Sequence, residues 1–257
     1  MSAAPVAETP PRRLRWWWEA VYILVFYGIY TTIRNTQGSA TVSARHAFEN
    51  ALEVIDVERA VGLFHEETLQ DWFLDERLFM QFWNVFYGTA HFIVTIGALV
   101  WLFRAAPHRY PLWRNTLAFT TALALIGFVA YPLMPPRLLP PTYGFIDTLK
   151  EIGGLWSFDS GTMQKISNQY AAMPSLHFAW SSWCAFVLWP MVRRPWVKAL
   201  VVAYPFATLF GVMVTANHYW LDALGGAVVL GAGYLLAGPL TRRRWSPADV
   251  PSPAARR

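Results

Sequence analysis

Two histidines and one aspartate in this sequence have the types and spacing of a nucleophilic site. His218 and Asp222 are four residues apart, so on a helix they share a face. A carboxylate there accepts the imidazole Nδ1–H, fixes the tautomer and leaves Nε2 as the nucleophile. It also stabilises the positive charge that develops on the ring during attack. Asp222 lies in an otherwise apolar run, where an ionisable group is costly and points to function by default. The blander reading of the same spacing is a structural His–Asp hydrogen bond.

His177 follows Pro174-Ser175. Proline early in a helix and serine at its cap leave backbone N–H groups pointing outward, a setting that suits phosphate. A histidine in that first turn can protonate a departing alcohol as a general acid; its alternative is an interfacial hydrogen bond to a carbonyl. Arg137 follows Pro135-Pro136, and its planar guanidinium can clamp two phosphate oxygens or simply snorkel to the interface. Asn84, Tyr87 and His91 fall roughly on one helical face. They either line the same pocket or hydrogen-bond between helices. Lys165, Asn168 and Tyr170 are candidate headgroup contacts.

The elements that position these residues are membrane spans. Six apolar runs approach the roughly 20 residues that cross a bilayer: Trp16–Ile33, Leu78–Leu102, Leu112–Leu133, Pro174–Val192, Val197–Ala216 and Tyr219–Leu240. The first follows Arg12, Arg13 and Arg15 as a signal peptide would. Its apolar core is too long, though, and the nearest small-residue pattern, Val42 to Ala44, lies beyond it, so it reads as a retained helix. Pro205 is expected to kink the fifth run without ending it. Gly225, Gly226, Gly231 and Gly233 suit close helix packing in the last. Between the first two runs, Ala44, Phe48, Ala51 and Ile55 oppose Arg45, Glu49, Glu53 and Asp56. Farther on, Phe64, Leu69, Trp72 and Phe73 oppose Glu66, Glu67 and Asp71. Both patterns predict amphipathic helices on the outer membrane surface, bordering a lipid entrance. Residues 1–15 and 245–257 read as disordered cytoplasmic tails around a single membrane domain, 16–244.

Composition agrees. The chain is 55% apolar and only 14% charged, where a soluble domain carries about a quarter charged residues. Its 14 Trp, 11 Tyr and 17 Phe suit two membrane–water interfaces. The net charge of +5 does not form a nucleic-acid patch, because the basic residues flank apolar runs. The lone Cys184 excludes an internal disulfide and a multi-cysteine metal site. With both termini cytoplasmic, 14 of the 21 Lys and Arg fall inside, and of the acids only Glu8, Glu19 and Asp249 do. The positive-inside rule therefore predicts an integral membrane protein whose chemistry faces the extracytoplasmic side.

That topology brings three separated segments to one depth: Tyr131–Pro140, Ala171–His177 and Thr215–Asp222. Together they resemble the type 2 phosphatidic acid phosphatase (PAP2) superfamily. More narrowly they are similar to its inositolphosphorylceramide synthase-like branch, in which Leu176 stands where the wider family has glycine. Asn84–Phe92 and Tyr110–Asn115 are similar to that branch too, and the likeness covers about residues 45 to 235. The resemblance implies an all-α, six-span membrane protein and a reaction through a phosphohistidine with no metal or other cofactor. His218 would match the nucleophile, Asp222 its orienting carboxylate and His177 the leaving-group acid, with Ser175 and Arg137 as phosphate ligands. Two family cations are missing: Ala130 replaces a lysine and Val212 an arginine. A phosphodiester, with less charge to neutralise, fits that loss better than a bare phosphomonoester or diphosphate.

The function expected is cleavage of a lipid phosphoester, with a phospholipid or isoprenoid phosphate as substrate. The phosphorylated headgroup, such as phosphoinositol, passes either to a lipid alcohol or to water. Hydrolysis of phosphatidate or isoprenoid diphosphate is the nearest alternative. A metalloenzyme using His91, His177, His218 and Asp222 predicts inhibition by chelators. A non-catalytic lipid-binding or transport protein predicts that His218 is dispensable.

Overall fold

The computed structural model describes residues 15–36, 43–153 and 169–242. The two expected tails, apart from Arg15, lie outside these ranges, as do Lys165 and Asn168. The described chain is all-helical, with only an isolated parallel bridge between Leu133 and Ala171. In chain order the helices are α1 (Trp16–Thr36), α2 (Ala44–Ala60), α3 (Glu66–Asp71), α4 (Arg77–Ala105), α5 (Tyr110–Ala130) and α6 (Thr148–Glu151). Then follow α7 (Leu176–Leu188), α8 (Pro195–Val214) and α9 (Trp220–Arg242).

Four of these, α4, α5, α8 and α9, are long and apolar enough to cross a bilayer. Their outer faces carry large apolar side chains such as Ile93, Ile126, Phe206 and Leu235, as lipid-facing surfaces do. The run expected over Pro174–Val192 yields a helix of only 13 residues, about 20 Å long at 1.5 Å per residue. Ser175 caps it at one end, and a turn before Arg193-Arg194-Pro195 closes it at the other. α8 runs through Pro205 as one helix.

α9 lies along α5 over its length, and α7 sits among α4, α8 and α9. Glycine makes the closest of these approaches possible. A Cβ on Gly226 would stand 2.4 Å from the Ser175 carbonyl oxygen, and one on Gly233 would stand 2.5 Å from Thr120 Oγ1. Gly225 packs on Pro174, whereas Gly231 faces open space and is not a packing glycine. Two indole donors bond across the bundle: Trp183 Nε1–H donates to the Trp113 carbonyl at 2.9 Å and Trp180 Nε1–H to Thr121 Oγ1 at 3.1 Å. α1 joins α5 through an ion pair between Glu19 and Arg114.

α2 lies across one end of the bundle on a buried stripe of Ala47, Ala51, Val54, Ile55 and Glu58. Phe48 only flanks this stripe, while Arg45 and Glu49 pair on the exposed side at 2.8 Å. At α3 and its C-cap the expected faces are exchanged at two positions. Glu66 is fully buried, its carboxylate reaching a backbone N–H of α9, and Trp72 is exposed.

Candidate active site

Three backbone hydrogen bonds join the three motif segments pairwise. Leu133 N–H donates to the Tyr170 carbonyl, Arg137 N–H to the Ala216 carbonyl, and Ser175 N–H to the Asp222 carbonyl, each at 2.8 Å. Buried peptide groups must find partners. Here they find them in one another, and the Tyr219 hydroxyl adds a bond to the Met134 carbonyl at 3.1 Å, so main chain and side chain together bring the segments into register.

His218 sits in the turn between α8 and α9, just after Ala216, which holds a left-handed φ of +52°. Such a φ is uncommon outside glycine and costs a non-glycine residue about 1–2 kcal/mol. Here it lets the chain leave α8 and enter α9 within five residues. His218 Nδ1–H donates to Asp222 Oδ2 at 3.1 Å, and the Tyr219 N–H donates to the same oxygen at 2.9 Å. Both side chains are essentially buried, at 3% and 0% exposure. In this low-dielectric setting the carboxylate fixes the Nδ1–H tautomer, and the Nε2 lone pair turns toward His177. His177 Nδ1 lies 3.3 Å from His218 Nε2. With Nε2 as acceptor, the donor is the His177 Nδ1–H.

His177 is held from two sides. Tyr87 stacks on its ring with centroids 4.4 Å apart, and His91 meets it edge-on at 4.2 Å. His91 Nδ1–H donates within its own helix to the Tyr87 carbonyl at 3.0 Å. Ser175 is buried and caps α7: its Oγ accepts the Phe178 N–H at 3.4 Å.

Arg137 is anchored beside His218 through its neighbour Asn217. Its Nε–H donates to Asn217 Oδ1 at 2.9 Å, and Nη1 pairs with Asp147 Oδ2 at 2.8 Å. The Asp147 segment is clamped on both sides. Gln70 exchanges two hydrogen bonds with the Ile146 backbone. Asn84 donates to the Thr148 and Gly153 carbonyls and accepts from Thr148 Oγ1, all at 2.9 Å. The Asn84 amide is thus spent on positioning α6. Tyr170 contributes its carbonyl to the Leu133 bond and packs its ring on the cluster around α2. Of the residues singled out from sequence, His91, His177, His218 and Asp222 come together, with Ser175 and Arg137 joined to them through backbone and Asn217.

Four participants escape the sequence reasoning: Asn217, Asp147, Glu58 and Glu66. Glu58 Oε1 accepts the Leu221 N–H at 2.8 Å, and Glu66 Oε1 accepts the Trp220 N–H at 3.4 Å. Both carboxyls are fully buried. Burial, and then the facing Glu66, push the Glu58 carboxyl up to about 9. Burial likewise raises Glu66. A signal for Glu58 existed, since it continues the i, i+4, i+7, i+8 stripe of Ala47, Ala51, Val54 and Ile55.

Among the described residues no group of three or more His, Cys, Asp or Glu is arranged to hold a metal ion. What the arrangement offers is an oriented imidazole nucleophile, a second imidazole at its reactive nitrogen, and a guanidinium alongside. No curated protein and no solved structure gives a match to this chain. The sequence profile of the PAP2 superfamily does match, over residues 52–236, which spans every segment joined at this site. The chain belongs to the PAP2 superfamily.

Proposed function

We propose that this protein cleaves a lipid phosphoester through a phosphohistidine on His218, releasing or transferring the phosphorylated headgroup. The reading is carried by one observation: His177 Nδ1 lies 3.3 Å from His218 Nε2, the nitrogen that Asp222 leaves free to attack. In the first step Nε2 forms a bond to phosphorus as the bond to the lipid oxygen breaks. His177, protonated when the phosphate anion binds beside it, gives its proton to that oxygen. In the second, neutral His177 takes the proton of water or of an acceptor hydroxyl, whose oxygen displaces His218 from phosphorus. Arg137 and Ser175 hold the non-bridging oxygens, and Arg137 stabilises the charge that builds there. A phosphoryl group is wider than the 3.3 Å between the rings. Substrate therefore parts them, and His177 turns against Tyr87 and His91.

The substrate class follows from charge. Val212 is buried among apolar neighbours and Ala130 carries no charge, so neither supplies the cations of the broader family pattern. Arg137 is already paired with Asp147. Such a site suits a singly charged phosphodiester and so favours headgroup transfer, as in the inositolphosphorylceramide synthase-like branch, over hydrolysis of phosphatidate or an isoprenoid diphosphate.

The full membrane arrangement belongs to the same proposal. α1 and α7 complete six spans, both termini are cytoplasmic, and the histidines face the outside of the cell membrane. α2 and α3 then lie on the outer surface beside the site. Arg104, Arg109, Arg193 and Arg194 support this orientation, since they sit at helix ends opposite those that carry the histidines.

The test incubates purified protein with labelled phospholipids and isoprenoid phosphates, with and without lipid alcohols. Products separate hydrolysis from transfer, and quenched reactions trap the labelled enzyme. His218→Ala should abolish both turnover and labelling; an active His218→Ala protein overturns the mechanism.

A further inference from the structure

Glu58 and Glu66 stand outside the proposed chemistry, yet both bind the first turn of the helix that carries Asp222. They reach it from different elements, α2 and α3, across 163 and 154 residues of sequence. Each uses one oxygen for a backbone N–H of α9. The other oxygens, Glu58 Oε2 and Glu66 Oε2, are buried with no donor. Two carboxylates side by side offer only acceptors, and buried acceptors without donors are costly. One proton between them satisfies both, and the two side chains lie within hydrogen-bonding reach of each other.

We infer that Glu58 and Glu66 share one proton and act as positioning residues, fixing the first turn of α9 so that His218 and Asp222 stay aligned for attack. The inference rests on the proposed phosphohistidine reaction. Three carboxyls crowd this helix start, because Asp222 faces Glu58 as well. Tyr219 is the neutral titratable neighbour of all three, and Tyr143 stands beside it. The α9 N-terminus favours negative charge nearby. It does not offset three buried anions, and the shared proton leaves two, one of which is paired with His218. The Leu221 and Trp220 N–H groups are among those a helix start leaves unsatisfied. Because the carboxyl pair takes them, the start of α9 is pinned to the surface helices rather than to solvent.

The pair must therefore lose its hold when the proton leaves. Burial and the facing Glu66 place that loss at about pH 9 for Glu58, so kcat of the intact protein falls above it. Glu58→Gln replaces the shared proton with an amide: its carbonyl accepts the Leu221 N–H and its N–H donates to Glu66. This variant should keep near-normal kcat at neutral pH and lose the alkaline fall. Glu58→Ala should lower kcat roughly 10- to 100-fold with little change in KM, as slight misplacement of reacting groups does. A Glu58→Gln enzyme that keeps the wild-type alkaline limb, or falls as far as Glu58→Ala, overturns the inference. A second readout needs no turnover: pH-difference infrared spectra should show a buried protonated carboxyl that titrates in wild type and is missing in Glu58→Gln. Wild type that shows this band but no phosphoester activity sinks the proposed function and leaves the shared proton standing. Active wild type without the band sinks the shared proton alone.

Discussion

The backbone carbonyl of Asp222 accepts the N–H of Ser175 at 2.8 Å, while its carboxylate accepts the Nδ1–H of His218 at 3.1 Å. One residue thus ties the cap of the helix carrying His177 to the orientation of the other histidine. Asp222→Asn keeps the backbone bond and the size but removes the charge, and its amide can turn the His218 tautomer around. Loss of kcat by a factor on the order of 10³–10⁴ is expected, with KM little changed, as for other carboxylates that orient a catalytic imidazole. Single-turnover kinetics on a labelled phospholipid check this. A loss under tenfold would reduce Asp222 to a packing role.

Gly226 tests how closely α7 and α9 must approach. An added Cβ would lie 2.4 Å from the Ser175 carbonyl, so Gly226→Ala pushes the cap away and costs about 1–3 kcal/mol. Gly231→Ala is the control. It meets nothing within 4 Å, and replacing an interior helix glycine stabilises by about 0.5–1 kcal/mol. Thermal unfolding in detergent should move in opposite directions for the two.

Asp147 sets how much positive charge Arg137 presents. Asp147→Asn still accepts from Nη1 and keeps Arg137 in place, but it unmasks the guanidinium. We expect kcat/KM for a doubly charged phosphomonoester to rise severalfold relative to a phosphodiester, measured with both in competition. An unchanged ratio removes Asp147 from substrate choice. Arg137→Lys should depress both substrates, since an ammonium lacks the planar fork.

Stability should fall as pH rises. Glu58 has a folded value of about 9 against an ordinary 4.5, so the folded protein holds a proton that the unfolded chain releases. The corresponding stability is complete below about pH 4.5 and is lost progressively up to about pH 9. Glu66 is shifted in the same direction. Unfolding midpoints in micelles at pH 6 and pH 9 should differ, and Glu58→Gln should narrow the gap. A midpoint that climbs with pH over this window contradicts the assignment.

The grouping of His177, His218 and Asp222 was legible because its logic is local. His218 and Asp222 are four apart on one helix, and His177 follows a proline–serine cap. Hydropathy then places both helix starts at the same depth. Glu58 and Glu66 were not legible in the same way. An acid in an amphipathic surface helix ordinarily faces water, and the N–H groups that draw these two inward are more than 150 residues away. Asp147 lies only ten residues from Arg137, but the prolines and tight turns between them have no periodicity to read. α7 was overestimated because hydropathy continues past the turn that ends it. Asn84 was read as sharing a helical face with Tyr87 and His91, but a lone amide on a helix does not reveal whether it faces a ligand or, as here, the carbonyls of Thr148 and Gly153.

The pairwise stitching of the three motif segments has a consequence for how such a protein can change. The links at 133–170, 137–216 and 175–222 run through peptide groups, so lining side chains that make no bond between the segments can change while His177 and His218 hold their mutual distance. Under the proposed reaction, new substrate preferences can then accumulate by reshaping the lining without re-inventing the chemistry. The substitution this scaffold cannot absorb is one that deletes an amide proton: Leu133→Pro should abolish turnover where Leu133→Met leaves it nearly intact.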